Sequence, residues 1–183
     1  MKLVFLDRDG VINKFPGKGL YVTEQALFSF LPRSIDAIRD LTQAGCEIRI
    51  VSNQGCVSRG FITKEALDQM TSRMLAEIEK GGGKIQKVHY CLHQTADRCD
   101  CKKPKIKMFR EAIGDRKLDL KKDVYFVGDS IEDMEAGRDL GCRTALVLSG
   151  RTEEADLPEF PVKPETVQKD LWEASRWILQ KKS

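Results

Sequence analysis

The sequence predicts an α/β fold in which a mostly parallel sheet is covered by helices on both faces. Two observations predict it. Short apolar runs, Leu3-Val4-Phe5-Leu6 and Val124-Tyr125-Phe126-Val127 among them, alternate with stretches whose apolar residues recur at helical spacing. A continuous apolar run bounded by a turn reads as a strand buried on both faces, and strand–helix alternation implies parallel connections. Moreover, the runs stop at small polar or acidic residues: Asp7-Arg8-Asp9-Gly10, Ser52-Asn53-Gln54-Gly55 and Gly128-Asp129-Ser130. Open α/β sheets place their ligands at such strand ends.

Taken in order, the first strand leads into residues 10–31, whose glycines and Pro16 predict a loop or small flap. Pro32 suits the first position of a helix carrying Ile35, Ile38 and Leu41, stopped by Gly45. Glu47-Ile48-Arg49-Ile50-Val51 reads as the second strand, and Thr63 caps a long amphipathic helix with Leu67, Met70, Met74 and Ile78 on one face, closed by Gly81-Gly82-Gly83. A third strand is expected over residues 85–90, a short helix over 106–113, a fourth strand at 124–127, a helix ending at Leu140 and a fifth strand at 144–148. Residues 150–165 carry three prolines and read as an irregular connection. Val167, Leu171, Ala174 and Ile178 predict a closing amphipathic helix.

The 183 residues suit one domain, 1–183, of a soluble protein: 41% are hydrophobic and 32% charged, and no apolar run is long enough to cross a bilayer. No export signal is expected, which points to the cytoplasm. The net charge of +3 is small and its lysines are dispersed, so neither nucleic acid nor membrane is expected as a partner; a small anionic substrate is. A monomer is anticipated.

Asp7 and Asp9 leave their strand two residues apart, and burying two such acids is costly unless a cation or a proton intervenes. Placed side by side, the strand ends assemble Asp7 and Asp9 with Ser52, a lysine near Lys103, Asp129 and Asp133. That set suits phosphoryl transfer. Asp129 can join Asp7 around Mg2+, which prefers a few carboxylates plus waters and a phosphate oxygen. Asp7 then attacks phosphorus, Asp9 serves as acid and base, Ser52 holds phosphate oxygens and Lys103 offsets their charge.

These four stretches resemble the motifs of the haloacid dehalogenase (HAD) superfamily of phosphatases. The resemblance implies a Rossmann-like three-layer HAD fold with a minimal cap. It also implies a Mg2+ site made of the Asp7 carboxylate, the Asp9 backbone carbonyl and the Asp129 carboxylate, with Asp133 in support.

Cys91-x-His93 and Cys99-x-Cys101 supply three thiolates and one imidazole, a complete tetrahedral set for a structural Zn2+ within a loop spanning 91–104. Cys46, Cys56 and Cys142 are scattered and read as ordinary thiols. The loop resembles that of the subfamily containing the heptose bisphosphate and histidinol-phosphate phosphatases. It departs in one respect: Lys102 stands where those enzymes usually carry an arginine, and a lysine lacks the two-pronged grip of a guanidinium. Ser52 through Gly60 and Tyr21-Val22 look like the heptose enzymes, whereas the short gap from His93 to Cys99 and Lys103-Pro104-Lys105 look like the histidinol-phosphate enzymes. The expected substrate is the heptose bisphosphate, with histidinol phosphate or another sugar phosphate as the alternative. By resemblance, Lys18, Gly19, Leu20, Tyr21, Ser52, Asn53, Gln54, Gly55, Lys102, Lys103 and Ser130 line the substrate site, with Arg59 in support. A phosphoacceptor signalling domain gathers similar groups, but it leaves Asp9 and the cysteine loop without a purpose.

Overall fold

The computed structural model describes residues 1–181. Six strands form one parallel sheet: β1 (Leu3–Leu6), β2 (Glu47–Asn53), β3 (Lys87–Cys91), β4 (Val124–Gly128), β5 (Arg143–Val147) and β6 (Thr166–Gln168), in the spatial order β3-β2-β1-β4-β5-β6. Because β1 pairs with β2 on one side and β4 on the other, the strand order reverses there, and the crevice at their C-terminal ends is the natural ligand site.

Six helices cover the sheet: α1 (Ser34–Gln43), α2 (Lys64–Lys80), α3 (Lys107–Ile113), α4 (Leu120–Asp123), α5 (Ile131–Leu140) and α6 (Leu171–Gln180). Alternation along the strands decides which layer each residue joins. Val4, Leu6, Ile48, Ile50, Tyr125 and Val127 pack under α1, α6 and the end of α2. Leu3, Phe5, Val124 and Phe126 face the other way, against Met108 and Phe109 of α3 and Ala136 and Leu140 of α5. There Phe109 meets Phe5 and Phe126 edge-on, at centroid distances of 5.1 and 4.8 Å. Among the described residues no helix is long and apolar enough to cross a membrane.

Residues 10–33 form a small flap, pinned by Val22 in a cluster with Cys56, Ile62, Leu67 and Met70. Thr63 caps α2 as expected, accepting from the Ala66 amide at 3.1 Å. Pro32, however, lies ahead of α1. Arg33 takes a left-handed conformation (φ 60°) and rests its guanidinium on the Trp172 ring, 3.5 Å from the centroid, so the helix starts at Ser34.

Strand β3 begins at Lys87 and not at 85, because Gln86 spends both its amide and its side chain on Ile48. Val167 belongs to β6 and not to the closing helix. Asp170 caps α6 by accepting from Glu173 at 3.0 Å, and the helix begins one residue later. β6 and the single-turn α4 are too short to carry a periodic signal.

The sheet edge is fastened by Arg143, which donates to Glu165 and to the Tyr125 hydroxyl. The bonds from Arg143 hold the Glu165 carboxyl below its usual range. A depressed carboxylate pKa contributes stability above the unfolded value of 4.5 that is lost as pH falls through the folded one. Glu165→Gln should therefore flatten the stability profile in that acidic window, by less than about 1 kcal/mol for so exposed a pair. Denaturant unfolding at pH 3–7 measures it, and an unchanged profile refutes the assignment.

Candidate active site

At the end of β1 the chain turns tightly. The Arg8 carbonyl accepts from the amides of Val11, Ile12 and Asn13 at 3.3, 2.8 and 3.2 Å, and Gly10 adopts φ +85°. Gly10 has no alternative residue here, since a Cβ would run into the Asp129 carboxylate. Arg8 turns away from the cleft into the interior, where it is buried beside Tyr90 and grips both Asp9 oxygens at 3.0 Å. Asn13 and Gln54 donate to Asp9 at 2.8 and 2.9 Å. Burial pushes the Asp9 carboxyl up, but the Arg8 charge and these bonds outweigh it and hold the group below its ordinary range.

Asp7 is paired with Lys103 at 3.0 Å, and Lys103 also reaches Asp133 at 2.7 Å and the Val51 carbonyl at 3.0 Å. Asp133 is occupied on its other oxygen as well, accepting from the amides of Asp129 and Ser130 and from the Ser130 hydroxyl, which caps α5. It acts as the joint between helix, lysine and Asp129.

Carboxylate oxygens of Asp7, Asp129 and Asp133 lie within 4.8 Å of one another. Four carboxylates, of Asp7, Asp9, Asp129 and Asp133, face two buried cations, Arg8 and Lys103. The excess of negative charge equals that of one divalent cation. Its effect is visible in the acids themselves: burial, then Asp133 and Asp7, push Asp129 well above the usual carboxylate range, and burial raises Asp7 despite Lys103. The residues present therefore fit a small hard cation.

Above these acids opens a cleft of about 150 Å³. Of the residues expected there, Leu20, Tyr21, Ser52, Asn53, Gly55, Arg59, Lys102, Lys103 and Ser130 line it. Three do not. Gln54 is buried behind the wall, where it bonds Asp9 and Ser52. Gly19 borders an apolar groove with Leu27 and Phe61, and Lys18 an outer groove with Glu132 and Glu135.

The wall after β5 is a part of the site for which the sequence raised no expectation. Arg151, with Glu132, Phe15 and Gln94, lines the cleft. The Arg151 amide donates to the Asp129 carboxylate at 2.6 Å, the Thr152 hydroxyl to the Asp129 carbonyl at 2.6 Å, and the Ser149 hydroxyl to the Gly10 carbonyl at 2.7 Å. The signal was present in Ser149-Gly150, another small polar pair at the end of an apolar run.

The cysteine loop folds back under β3. Cys91 Sγ lies 3.6 Å from Cys99 Sγ and 3.1 Å from Cys101 Sγ, and His93 Nδ1 lies 3.2 Å from Cys101 Sγ. A tetrahedron with metal–sulfur bonds of about 2.3 Å has edges of about 3.8 Å, so these four groups stand at or somewhat inside the spacing of a filled site. Burial, followed by the neighbouring Cys101, pushes the Cys91 thiol up to about 12, so a thiolate there needs a cation beside it. Just downstream, Lys103 exchanges two hydrogen bonds with Asn53 at 2.9 and 3.2 Å, which ties the loop to the end of β2.

Comparison with known proteins agrees with this geometry. The profile of the HAD-hydrolase-like family matches residues 100–174. D-glycero-beta-D-manno-heptose-1,7-bisphosphate 7-phosphatase of Pseudomonas putida is 37% identical over 162 residues, 87% of this chain and 91% of that protein. The enzyme of that name from Neisseria meningitidis serogroup A is 34% identical over 186 residues, 98% and 96% of the two chains. Among solved structures, D,D-heptose 1,7-bisphosphate phosphatase from B. bronchiseptica, complexed with magnesium and phosphate, superposes with a TM-score of 0.91 at 32% identity, covering 100% of both chains. With acids gathered where the strand order reverses, and a likeness to these enzymes that runs the length of the chain, this protein is a phosphatase of the haloacid dehalogenase-like family and belongs with the D-glycero-D-manno-heptose-1,7-bisphosphate 7-phosphatases.

Proposed function

We propose that this chain removes the 7-phosphate of D-glycero-D-manno-heptose 1,7-bisphosphate through a phosphoenzyme formed on Asp7. The observation that carries the reading is that the Asp7 carboxylate lies 3.0 Å from the Lys103 ammonium while its oxygen is within 4.8 Å of those of Asp129 and Asp133. The similarity to heptose bisphosphate phosphatases over the whole chain supports the substrate.

An Asp7 oxygen attacks phosphorus as the bond to the leaving oxygen breaks. Asp9 gives that oxygen a proton, gained as the anionic phosphate enters and makes the nearby carboxylate more basic. In the second half Asp9, ionised again, takes a proton from the water that attacks the acyl phosphate and restores Asp7. Ser52 and the amides beside it hold phosphate oxygens, and Lys103 offsets their charge. Asp133 keeps Lys103 and the start of α5 in register. Mg2+, when bound by the carboxylates of Asp7 and Asp129 and the carbonyl of Asp9, supplies the neutralisation that lets an anionic nucleophile approach a phosphate dianion.

Cys91, His93, Cys99 and Cys101 are assigned one Zn2+ that clamps the loop and so seats Lys102 and Lys103. Thiols held reduced for that purpose suit the cytoplasm.

Phosphate release from both anomers of heptose 1,7-bisphosphate, from histidinol phosphate and from simple sugar phosphates tests the reading. We expect the beta anomer of the heptose bisphosphate to have the highest kcat/KM, and EDTA to abolish turnover until Mg2+ is restored. Faster turnover of histidinol phosphate would overturn the substrate, and EDTA-resistant activity the metal.

A further inference from the structure

Three cations line the cleft without a task in the mechanism above: Arg59, Lys102 and Arg151. The sheet order sets them apart. Arg59 follows β2 and Lys102 follows β3, on one side of the central β1–β4 pair, whereas Arg151 follows β5 on the other. We propose that Arg151 is a specificity-determining residue that binds the second, non-transferred phosphate of a bisphosphate substrate, exchanging a weak pairing with Glu132 for it. The proposal rests on the heptose bisphosphate reading.

A substrate with phosphates on its first and last carbons needs an anion site at the mouth of the cleft, away from Asp7. Lys102 offers a point charge, and it adjoins Lys103, where the transferred phosphate is held. Arg59 lies with its guanidinium near the Tyr21 ring, 5.8 Å from the centroid. Arg151 also lies by an aromatic ring, that of Phe15 at 5.6 Å from the centroid, but it stands on the opposite side of the β1–β4 pair, after β5.

Its amide is fixed on the Asp129 carboxylate at 2.6 Å, which anchors its backbone beside the metal-ready acids, yet its side chain is 49% exposed and borders both the cleft and the outer groove. The one acid it pairs with, Glu132, is 3.5 Å away and 41% exposed. So long and open an ion pair has little net strength. A phosphate dianion, with oxygens matched to the guanidinium fork, is the stronger partner and displaces it. Because the amide and not the side chain holds Asp129, shortening Arg151 leaves the catalytic acids in place.

The experiment compares kcat/KM for heptose 1,7-bisphosphate and heptose 7-phosphate in the wild type, Arg151→Ala, Arg151→Lys and Glu132→Gln. We expect the bisphosphate-to-monophosphate ratio to fall at least about tenfold in Arg151→Ala, chiefly through KM, with partial recovery in Arg151→Lys. In Glu132→Gln the ratio should stay within about twofold of the wild type, since so weak a pair holds the arginine back little. A wild-type enzyme that does not prefer the bisphosphate overturns the substrate reading and this proposal with it. A preference that survives Arg151→Ala, or a loss equal on both substrates, overturns this proposal alone.

Discussion

Asp7→Asn should abolish phosphate release, by about 10⁴-fold or more, because the substitution keeps the shape of the side chain and removes its ability to form an acyl phosphate. The fold should survive. Burial first, with Asp133 and Asp9 adding repulsion, raises the Asp7 pKa despite Lys103 and Ser52, so its ionised form costs the metal-free protein stability at neutral pH. Thermal unfolding of the variant without metal should therefore match or exceed the wild type, while steady-state phosphate release collapses. Loss of activity together with loss of fold would make Asp7 structural, and wild-type turnover would make another group the nucleophile.

Cys101→Ser carries the second large effect. Elemental analysis should find about one Zn2+ per wild-type chain and none in the variant, since a hydroxyl is a poor substitute for a thiolate in such a set. Cys101 precedes Lys103 by two residues, and Lys103 in turn links Asp7, Asp133 and Asn53. Loss of the clamp should thus lower kcat by about 10–100-fold, the range typical of groups that orient a ligating or reacting residue, and lower the melting temperature as well. Cys142→Ser, at a free thiol away from the loop, should keep both zinc and activity. Zinc retained by Cys101→Ser, or absent from the reduced wild type, would remove the clamp from the account.

Local pattern was a good guide wherever one stretch of chain was enough to generate the signal. The four apolar residues of β1 and the Leu67, Met70, Met74 and Ile78 stripe of α2 are buried as their spacing implies. The convergence of Asp7, Ser52, Lys103, Asp129 and Asp133 on one cleft follows from a parallel sheet, because every strand then delivers its C-terminal end to the same side. Where partners distant in sequence decide, pattern was silent. β6 exists because β5 offers it a ladder, and Val167 sits there 38% exposed despite fitting a helical stripe.

The flap shows the same limit. Its glycines announce a loop but not its path, and that path puts Leu20 and Tyr21 into the cleft and Lys18 outside it.

By itself the sequence determined an α/β chain with acids at its strand ends and a four-ligand cysteine–histidine loop, since strand burial, helix periodicity and ligand spacing are properties of neighbouring residues. Only the tertiary structure decided that Arg8 turns inward to grip Asp9, that the Ser149–Thr152 segment clasps Asp129, and that Arg151 stands across the cleft from Arg59 and Lys102. Those relations depend on which strands lie side by side, and hydrogen bonds between residues more than a hundred positions apart, such as Ser149 to Gly10, leave no trace in local spacing.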